Sequence, residues 1–277
     1  MPKDRITITL EKELLKKLDT LVDGRDIRSR SHAIERALFS HLEEGKVKQA
    51  LILAGGEGTR LRPFTYEIPK PLIPIKGKPM LEHIINHLLA YGVKNFILSV
   101  GYMSEKIISH FGDGKKLGVH IDYVIEKERL GTAGPLRLAK DLLEEDFLML
   151  NGDILSRVNI TEFFAHHQKM NGLGTIVLVA VNDPSKYGTV DLYGNKIMKF
   201  VEKPKKSKVV SNLVNGGIYL LKSDIIDYVP KKGFSMIEKD VFPKLAQEEK
   251  LYGYIYTGPW YDLGTIESYG QAIKNWS

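Results

Sequence analysis

The sequence predicts an α/β protein: a mainly parallel sheet with helices on both faces, preceded by a small separate module. Three observations predict this. From Val47 onward, short apolar runs alternate with stretches of helical periodicity, the pattern of strands joined by crossover helices. Residues 1–46 follow a different pattern of one alternating strand and two amphipathic helices. A glycine-rich stretch then follows the first apolar run directly, where open parallel sheets bind ligands beyond the carboxyl ends of their strands.

In the head, Arg5–Leu10 alternates strictly. Ile6, Ile8 and Leu10 share one face; Arg5, Thr7 and Thr9 share the other. Leu14, Leu15, Leu18, Leu21 and Val22 then line one side of a helix, which Asp23-Gly24 ends. A second helix starts near Ser29 as its N-cap and buries Ala33, Ile34, Ala37, Leu38 and Leu42 before Glu43-Glu44-Gly45. This is too little to bury a core alone, and the strand has no partner within the head. Two copies pairing their strands would supply one, so the head predicts a homo-oligomer, at least a dimer.

In residues 47–277, buried strands are expected at 48–53, 95–100, 119–125 and 146–150. A helix is expected over Pro79–Tyr91 with Leu81, Ile84, Ile85, Leu88 and Leu89 inward. Beyond residue 180 the pattern is richer in strands. Hydrophobic content of 43% and charged content of 27% are ordinary for a soluble globular protein. The net charge of +6 is spread along the chain and does not by itself call for nucleic acid. The absence of cysteine excludes disulfides and cysteine-bound metals. No apolar run is long enough to span a membrane, and the N-terminus lacks the apolar core of an export signal, so a cytoplasmic location is expected.

The stretch Leu53–Pro71 carries the chemistry. Leu53 and Ala54 lead from the strand into Gly55, Gly56 and Gly58, then Thr59 and Arg60, and later Lys70 between Pro69 and Pro71. Glycines let backbone N–H groups approach phosphate oxygens closely. Arg60 offers a planar fork and Lys70 a point charge. The dinucleotide pattern fails, because Leu61 stands where its third glycine belongs, and the P-loop pattern lacks its Gly-Lys-Ser/Thr. The stretch reads as a grip for a nucleoside triphosphate.

It also resembles the signature of sugar-1-phosphate nucleotidylyltransferases, L-A-G-G-x-G-T-R-L-x-P-x-T-x-x-x-P-K-P, at every fixed position. The resemblance runs from about Val47 to the C-terminus and implies the Rossmann-like nucleotide-diphospho-sugar transferase fold. It also implies attack by a sugar-1-phosphate oxygen on the α-phosphorus of an NTP, with release of pyrophosphate. That nucleophile is already an anion, so the site needs cations and carboxylates that hold Mg²⁺ rather than a catalytic triad. Asp153, in Asn151-Gly152-Asp153, and Asp262, in Trp260-Tyr261-Asp262, match the family's metal-binding aspartates. With Arg60, Lys70 and Lys203 they form the implied catalytic set.

On the sugar side, Phe200-Val201-Glu202-Lys203-Pro204 resembles the family's sugar-phosphate motif, with Lys203 for the phosphate and Glu202 for a hydroxyl. Tyr187, Gly188 and Asn215 match two further sugar-pocket stretches. On the base side, Glu126–Leu136 is similar to the E-x-x-P-L-G-T-A-G of mannose-1-phosphate guanylyltransferases, with Arg129 where proline is usual. There Glu126 would accept from guanine, Gly131 would allow a close turn against the base, and Thr132 would cap the next helix. GTP and mannose 1-phosphate are therefore the favoured substrates, with glucose 1-phosphate and UTP or dTTP as the alternative.

The head resembles the ribbon-helix-helix family of DNA-binding dimers, whose two-stranded ribbon enters the major groove. That likeness implies Arg5, Thr7 and Thr9 as readers of double-stranded DNA. It also implies the helix start at Ser29, Arg30 and Ser31 as a contact to a backbone phosphate. A regulator that senses a nucleotide-sugar without catalysis is the alternative from another class.

Overall fold

The first apolar run after the head becomes β1 (Gln49–Leu53), and every one of its residues is buried or nearly so. The computed structural model of the chain describes residues 7–22, 29–34, 46–143 and 146–276. Chain contacts separate two units, Met1–Lys46 and Val47–Ser277.

In the second unit, β2 (Pro74–Ile75) and β3 (Lys78–Pro79) form a small hairpin. Next come β4 (Asn95–Val100), β5 (His120–Ile125), β6 (Asp146–Asn151) and β7 (Ile154–Ser156). They are followed by β8 (Gly174–Ala180), β9 (Gly188–Tyr193), β10 (Lys196–Glu202) and β11 (Leu213–Lys222), and lastly by β12 (Leu251–Ile255) and β13 (Trp260–Asp262). Among the described residues, nine strands make one sheet in the order β5-β4-β1-β6-β11-β8-β12-β10-β9. The first four are parallel, as the alternating pattern predicted. The strand-rich second half inserts β11 antiparallel against both β6 and β8 and adds the antiparallel β9 and β10, so the whole sheet is mixed.

The helices of the second unit follow α1 of the head (Lys12–Leu21). They are α2 (Met80–Ala90), α3 (Ser104–Phe111), α4 (Gly134–Leu138), α5 (Ile160–Met170), α6 (Phe242–Gln247) and α7 (Ile266–Asn275). In α2 the expected inward stripe is realised by Leu81, Ile84, Ile85 and Leu88, with Met80 added at its start. Both sheet faces are covered. Ala50 and Ile52 of β1 join one apolar cluster with α2, while Leu51, one residue out of phase, joins the other with Leu136, Phe242 and Leu245.

In the first unit, Leu18 and Ala33 are buried, and Ser29 caps residues 30–34 as expected, its hydroxyl accepting the His32 N–H at 3.2 Å. Of the strand expected over Arg5–Leu10, the described part is Thr7–Leu10, and it is not in a ladder within the single chain. Thr7–Leu10 has no ladder partner among the described residues, and Ile8 is exposed. A ladder needs a second strand for its N–H and C=O groups. Arg5, Ile6, Ala37, Leu38 and Leu42 lie outside the described residues, as do Asp23-Gly24 and Glu43-Glu44-Gly45.

Candidate active site

Four parallel strands end on one rim, and the functional loops leave from that rim. At β1 the sheet order reverses, with β4 on one side and β6 on the other, which opens a crevice above its carboxyl end. Leu53 passes there into the glycine loop. Ala54 N–H donates to Ser99 O at 2.7 Å and Gly152 N–H donates to Leu53 O at 2.9 Å, which ties the loop to the ends of β4 and β6. Gly58 sits at φ +62°, and a Cβ there would lie 2.8 Å from Thr65 Cγ2. Only glycine fits that turn, and the turn leads straight into the short 3₁₀ segment holding Thr59 and Arg60.

Lys70 starts a 3₁₀ turn between two prolines and is 9% exposed. Its ammonium donates to the carboxylate of Asp153, which follows β6. Burial alone would raise the Asp153 carboxyl, but the charge and hydrogen bond of Lys70, with the charge of Arg60, hold it below the ordinary range. Asp262 arrives from the far end of the chain. β13 pairs with β7 in a register that sets Asp262 opposite Ile154, the residue after Asp153, and Leu263 N–H donates to Asp153 O at 2.9 Å. Burial and the nearby Asp153 charge push the Asp262 carboxyl up, against the pull of Lys70 and Arg60.

Tyr187 lies beside Asp262. Its hydroxyl is engaged with Asp262 and its acidity is weakened to a pKa of about 12, first by burial and then by that carboxylate. The ring stands edge-on to Trp260, whose indole N–H donates to Gly216 O at 2.8 Å. Tyr187 thus stands beside Asp262 on the cleft wall. The capping box of Thr265 and Ser268 starts α7 three residues later and holds that segment from the other side.

On the base side, Glu126 follows β5 and accepts from Ser99 Oγ at 2.7 Å, and its carboxyl is raised by burial against that bond and one from Leu130 N–H. Gly131 has φ +75°, and a Cβ there would fall 2.2 Å from Ser235 O, so its close approach is to the 235 backbone. Thr132 does not cap α4, whose N-cap is Ala133 with no side-chain bond. Its hydroxyl instead donates to Glu238 at 2.5 Å and accepts the Ile237 N–H at 2.9 Å. Tertiary partners outcompete the local cap because Ile237 opens a π-helical turn, where its N–H has no partner within the turn and takes the Thr132 hydroxyl instead. Arg129, at the position where proline was expected, forms an ion pair with Glu57 of the glycine loop.

Opposite the glycine loop, Lys203 sits at φ +45°, in the left-handed region that costs a non-glycine residue energy. The kink follows β10, and Lys203 N–H donates to Tyr187 O at 3.0 Å. Its ammonium is 3.5 Å from the Glu202 carboxylate, and Glu202 pairs in register with Gly188. Asn215 marks a bulge in β11 and spends part of its amide there, accepting from Gly217 N–H and donating to Tyr219 Oη at 2.9 Å each. One amide hydrogen remains for a ligand. Arg60, Lys70, Glu126, Thr132, Asp153, Tyr187, Glu202, Lys203, Asn215 and Asp262 border a single cleft of about 740 Å³, together with Gly55, Gly56, Gly58 and Thr59.

Residues 49–277 match the family described as nucleotidyl transferase. The chain belongs to the nucleotidyl transferase family. Residues 4–45 match a second description, ribbon-helix-helix protein of the copG family. Mannose-1-phosphate guanyltransferase of Schizosaccharomyces pombe is 41% identical over 228 residues, 80% of this chain and 62% of that one. The catalytic subunit beta of mannose-1-phosphate guanylyltransferase from Xenopus tropicalis is 42% identical over 222 residues, 78% of this chain and 61% of that one. The nucleotidyl transferase thus spans about three fifths of the length of these relatives. Among solved structures, HddC from Yersinia pseudotuberculosis, also seen complexed with GMP-PN, superposes with a TM-score of 0.71 at 29% identity, covering 83% of this chain and all of that one. A UDP-glucose pyrophosphorylase at 24% identity shares the fold with a TM-score of 0.72 over 82% of this chain and 97% of that one.

Two features of this nucleotidyl transferase were invisible to sequence reasoning. Glu238, only 6% exposed, borders the cleft from the π-helical turn; no glycine or motif marks it. Arg30 of the head donates from Nε and Nη2 to the exposed Asp19 at 2.5 and 2.7 Å, a link across eleven residues that no motif marks. No helix of the described residues is long and apolar enough to cross a membrane.

Proposed function

We propose that residues 47–277 transfer a nucleotidyl group from an NTP, GTP in preference, to mannose 1-phosphate or a related sugar 1-phosphate. The carrying observation is the convergence of Arg60, Lys70, Asp153 and Asp262 beside the glycine loop, with Glu202 and Lys203 facing them across one cleft. The sugar-phosphate oxygen attacks the α-phosphorus. A new P–O bond forms, and the α–β bridging bond breaks with its electron pair leaving on pyrophosphate. Both reactants are polyanions, so mutual repulsion is the obstacle. The glycine-loop N–H groups, Arg60 and Lys70 neutralise the triphosphate, and Lys203 holds the sugar phosphate at attack distance.

Asp153 and Asp262 fit a divalent ion of the Mg²⁺ type, because each pushes on the other's charge and both offer hard oxygen ligands. No group of three or more ligating side chains exists among the described residues, so its remaining ligands would be phosphate oxygens and water. Bound there, it would offset the negative charge gathered on the phosphates.

Pyrophosphate release with Mg²⁺, each common NTP and several sugar 1-phosphates tests the reading. The largest kcat/KM is expected for GTP with mannose 1-phosphate, and no release from any pair would overturn it. Glu126 supports the guanine preference as an acceptor for guanine's ring and amino N–H groups. Glu126→Gln is expected to lower the GTP-over-UTP preference about tenfold or more. An unchanged ratio would remove Glu126 from base selection.

The likeness of residues 4–45 to ribbon-helix-helix proteins supports a second role, in which the head dimerises and its ribbon of Arg5, Thr7 and Thr9 binds DNA. Sedimentation is expected to give a smaller assembly once residues 1–46 are deleted, with turnover retained. Arg5→Ala is expected to weaken binding to the DNA upstream of the protein's own gene and to reduce the salt slope. Equal weak binding to every sequence would leave the head as a dimeriser only.

A further inference from the structure

Glu238 is the one deeply buried acid bordering the cleft among the described residues, and the reaction above gives it no task. We propose that Glu238 determines sugar specificity, its carboxylate accepting a hydrogen bond from a ring hydroxyl of the sugar 1-phosphate beside Glu202, with Thr132 as its positioning residue. The inference rests on the transferase reading and names a residue which that reading lacks.

Its place in the cleft is on the sugar side. The π-helical turn that carries it packs against β10, which ends at Glu202; the charges of Glu202 and Lys203 act on it, and its own acts on Tyr219, whose hydroxyl meets Asn215. Among the described residues its one side-chain hydrogen bond comes from Thr132, its own backbone N–H is a second donor, and it makes no ion pair. A carboxylate has about four acceptor positions, so most of this one's capacity has no protein side-chain donor. Leaving it so is costly in a buried place, and burial accordingly raises its pKa. Ring hydroxyls are the donors a sugar brings.

A purely structural role is poorly supported. The loop of Gly131 and the segment of Ser235 are already joined by Ser235 N–H to Leu130 O at 2.9 Å and Ala133 N–H to Ser235 O at 3.0 Å. Arg137 adds bonds to Pro230 O, Gly233 O and Ser235 Oγ. Thr132 would still accept the Ile237 N–H without Glu238. The carboxylate is thus surplus to the joint, and its residue borders the ligand space. A site with a buried, half-paired acceptor penalises any analogue that lacks the matching hydroxyl far more than an apolar pocket does.

The test is calorimetric titration of the intact chain with mannose 1-phosphate, glucose 1-phosphate, their singly deoxygenated analogues and inorganic phosphate. It is run with Mg²⁺, with and without a GTP analogue that cannot be cleaved between the α- and β-phosphates. Glu238→Gln is expected to weaken the preferred sugar phosphate about tenfold, and Glu238→Met more. Neither should change the analogue lacking the hydroxyl that Glu238 reads, nor inorganic phosphate. Thr132→Val should lose part of the same discrimination and Thr132→Ser should restore it. Equal weakening of every ligand, or none, overturns the proposal, as does a sugar preference unchanged in a well-folded Glu238→Met. Because binding is read directly, failure of turnover with every substrate pair would sink the transferase reading and still leave the hydroxyl discrimination measurable.

Discussion

Lys70→Met should reduce nucleotidyl transfer by about two to three orders of magnitude, the usual cost of losing one preorganised charge at a site of developing negative charge. Lys70 lies between two prolines and is 9% exposed, so its ammonium is preorganised against Asp153. The same change should destabilise the ligand-free protein. Asp153 loses its hydrogen-bonded cation; a fully buried partner would cost ~3–5 kcal/mol, and with the Asp153 side chain still 26% exposed about 1–3 kcal/mol is expected. The pH signature follows from sign. Because the folded Asp153 carboxyl lies below its unfolded value of 3.8, its stabilisation is present above that value and is lost as pH falls through the folded one. In Lys70→Met that acid-side loss should shrink. Adding Asp153→Asn should restore the melting temperature and leave turnover absent; recovery of turnover would show that the pair is only structural.

Asp262→Asn should cut kcat/KM by about two orders of magnitude or more, because one of two carboxylates facing the phosphates is gone. Its effect on stability should run the other way. The folded Asp262 carboxyl is raised above its unfolded value of 3.8, so its contribution is complete below that value and is lost as pH rises through the folded one. Asparagine removes that loss and keeps the acceptor for Gly264 N–H, which lies 2.8 Å from Oδ1. The variant should therefore melt at least as high as the parent at neutral pH without Mg²⁺. Mg²⁺ should raise the melting temperature of the parent more at neutral than at acidic pH, and of Asp262→Asn little. A variant that melts lower than the parent at every pH would refute the repulsion between the two aspartates.

Much of the fold was legible because its signals are local. The four parallel strands were readable as apolar runs, and α2 as a stripe of Leu81, Ile84, Ile85 and Leu88, since burial on both sheet faces or along one helix face leaves a periodic trace. The antiparallel insertion of β11 was not readable, because strand order depends on partners distant in sequence. Thr132 misled for the same reason. Next to a helix it looks like a cap, but Ile237 and Glu238, about a hundred residues away, supply better partners.

By itself the sequence marked the candidate phosphate grip: glycines at 55, 56 and 58, with Arg60 and Lys70 at short spacing, would act through backbone geometry that needs no distant partner. It also marked Asp153 and Asp262 as separate candidates. Only the tertiary structure decided that they form one site. The β7–β13 register brings Asp262 beside Asp153, where like charge drives their carboxyls apart, and the close approach of Thr132 to Glu238 makes a buried acid part of the cleft wall. Coulombic coupling and burial depend on distance in space, and that distance is set by strand pairing and packing rather than by position along the chain.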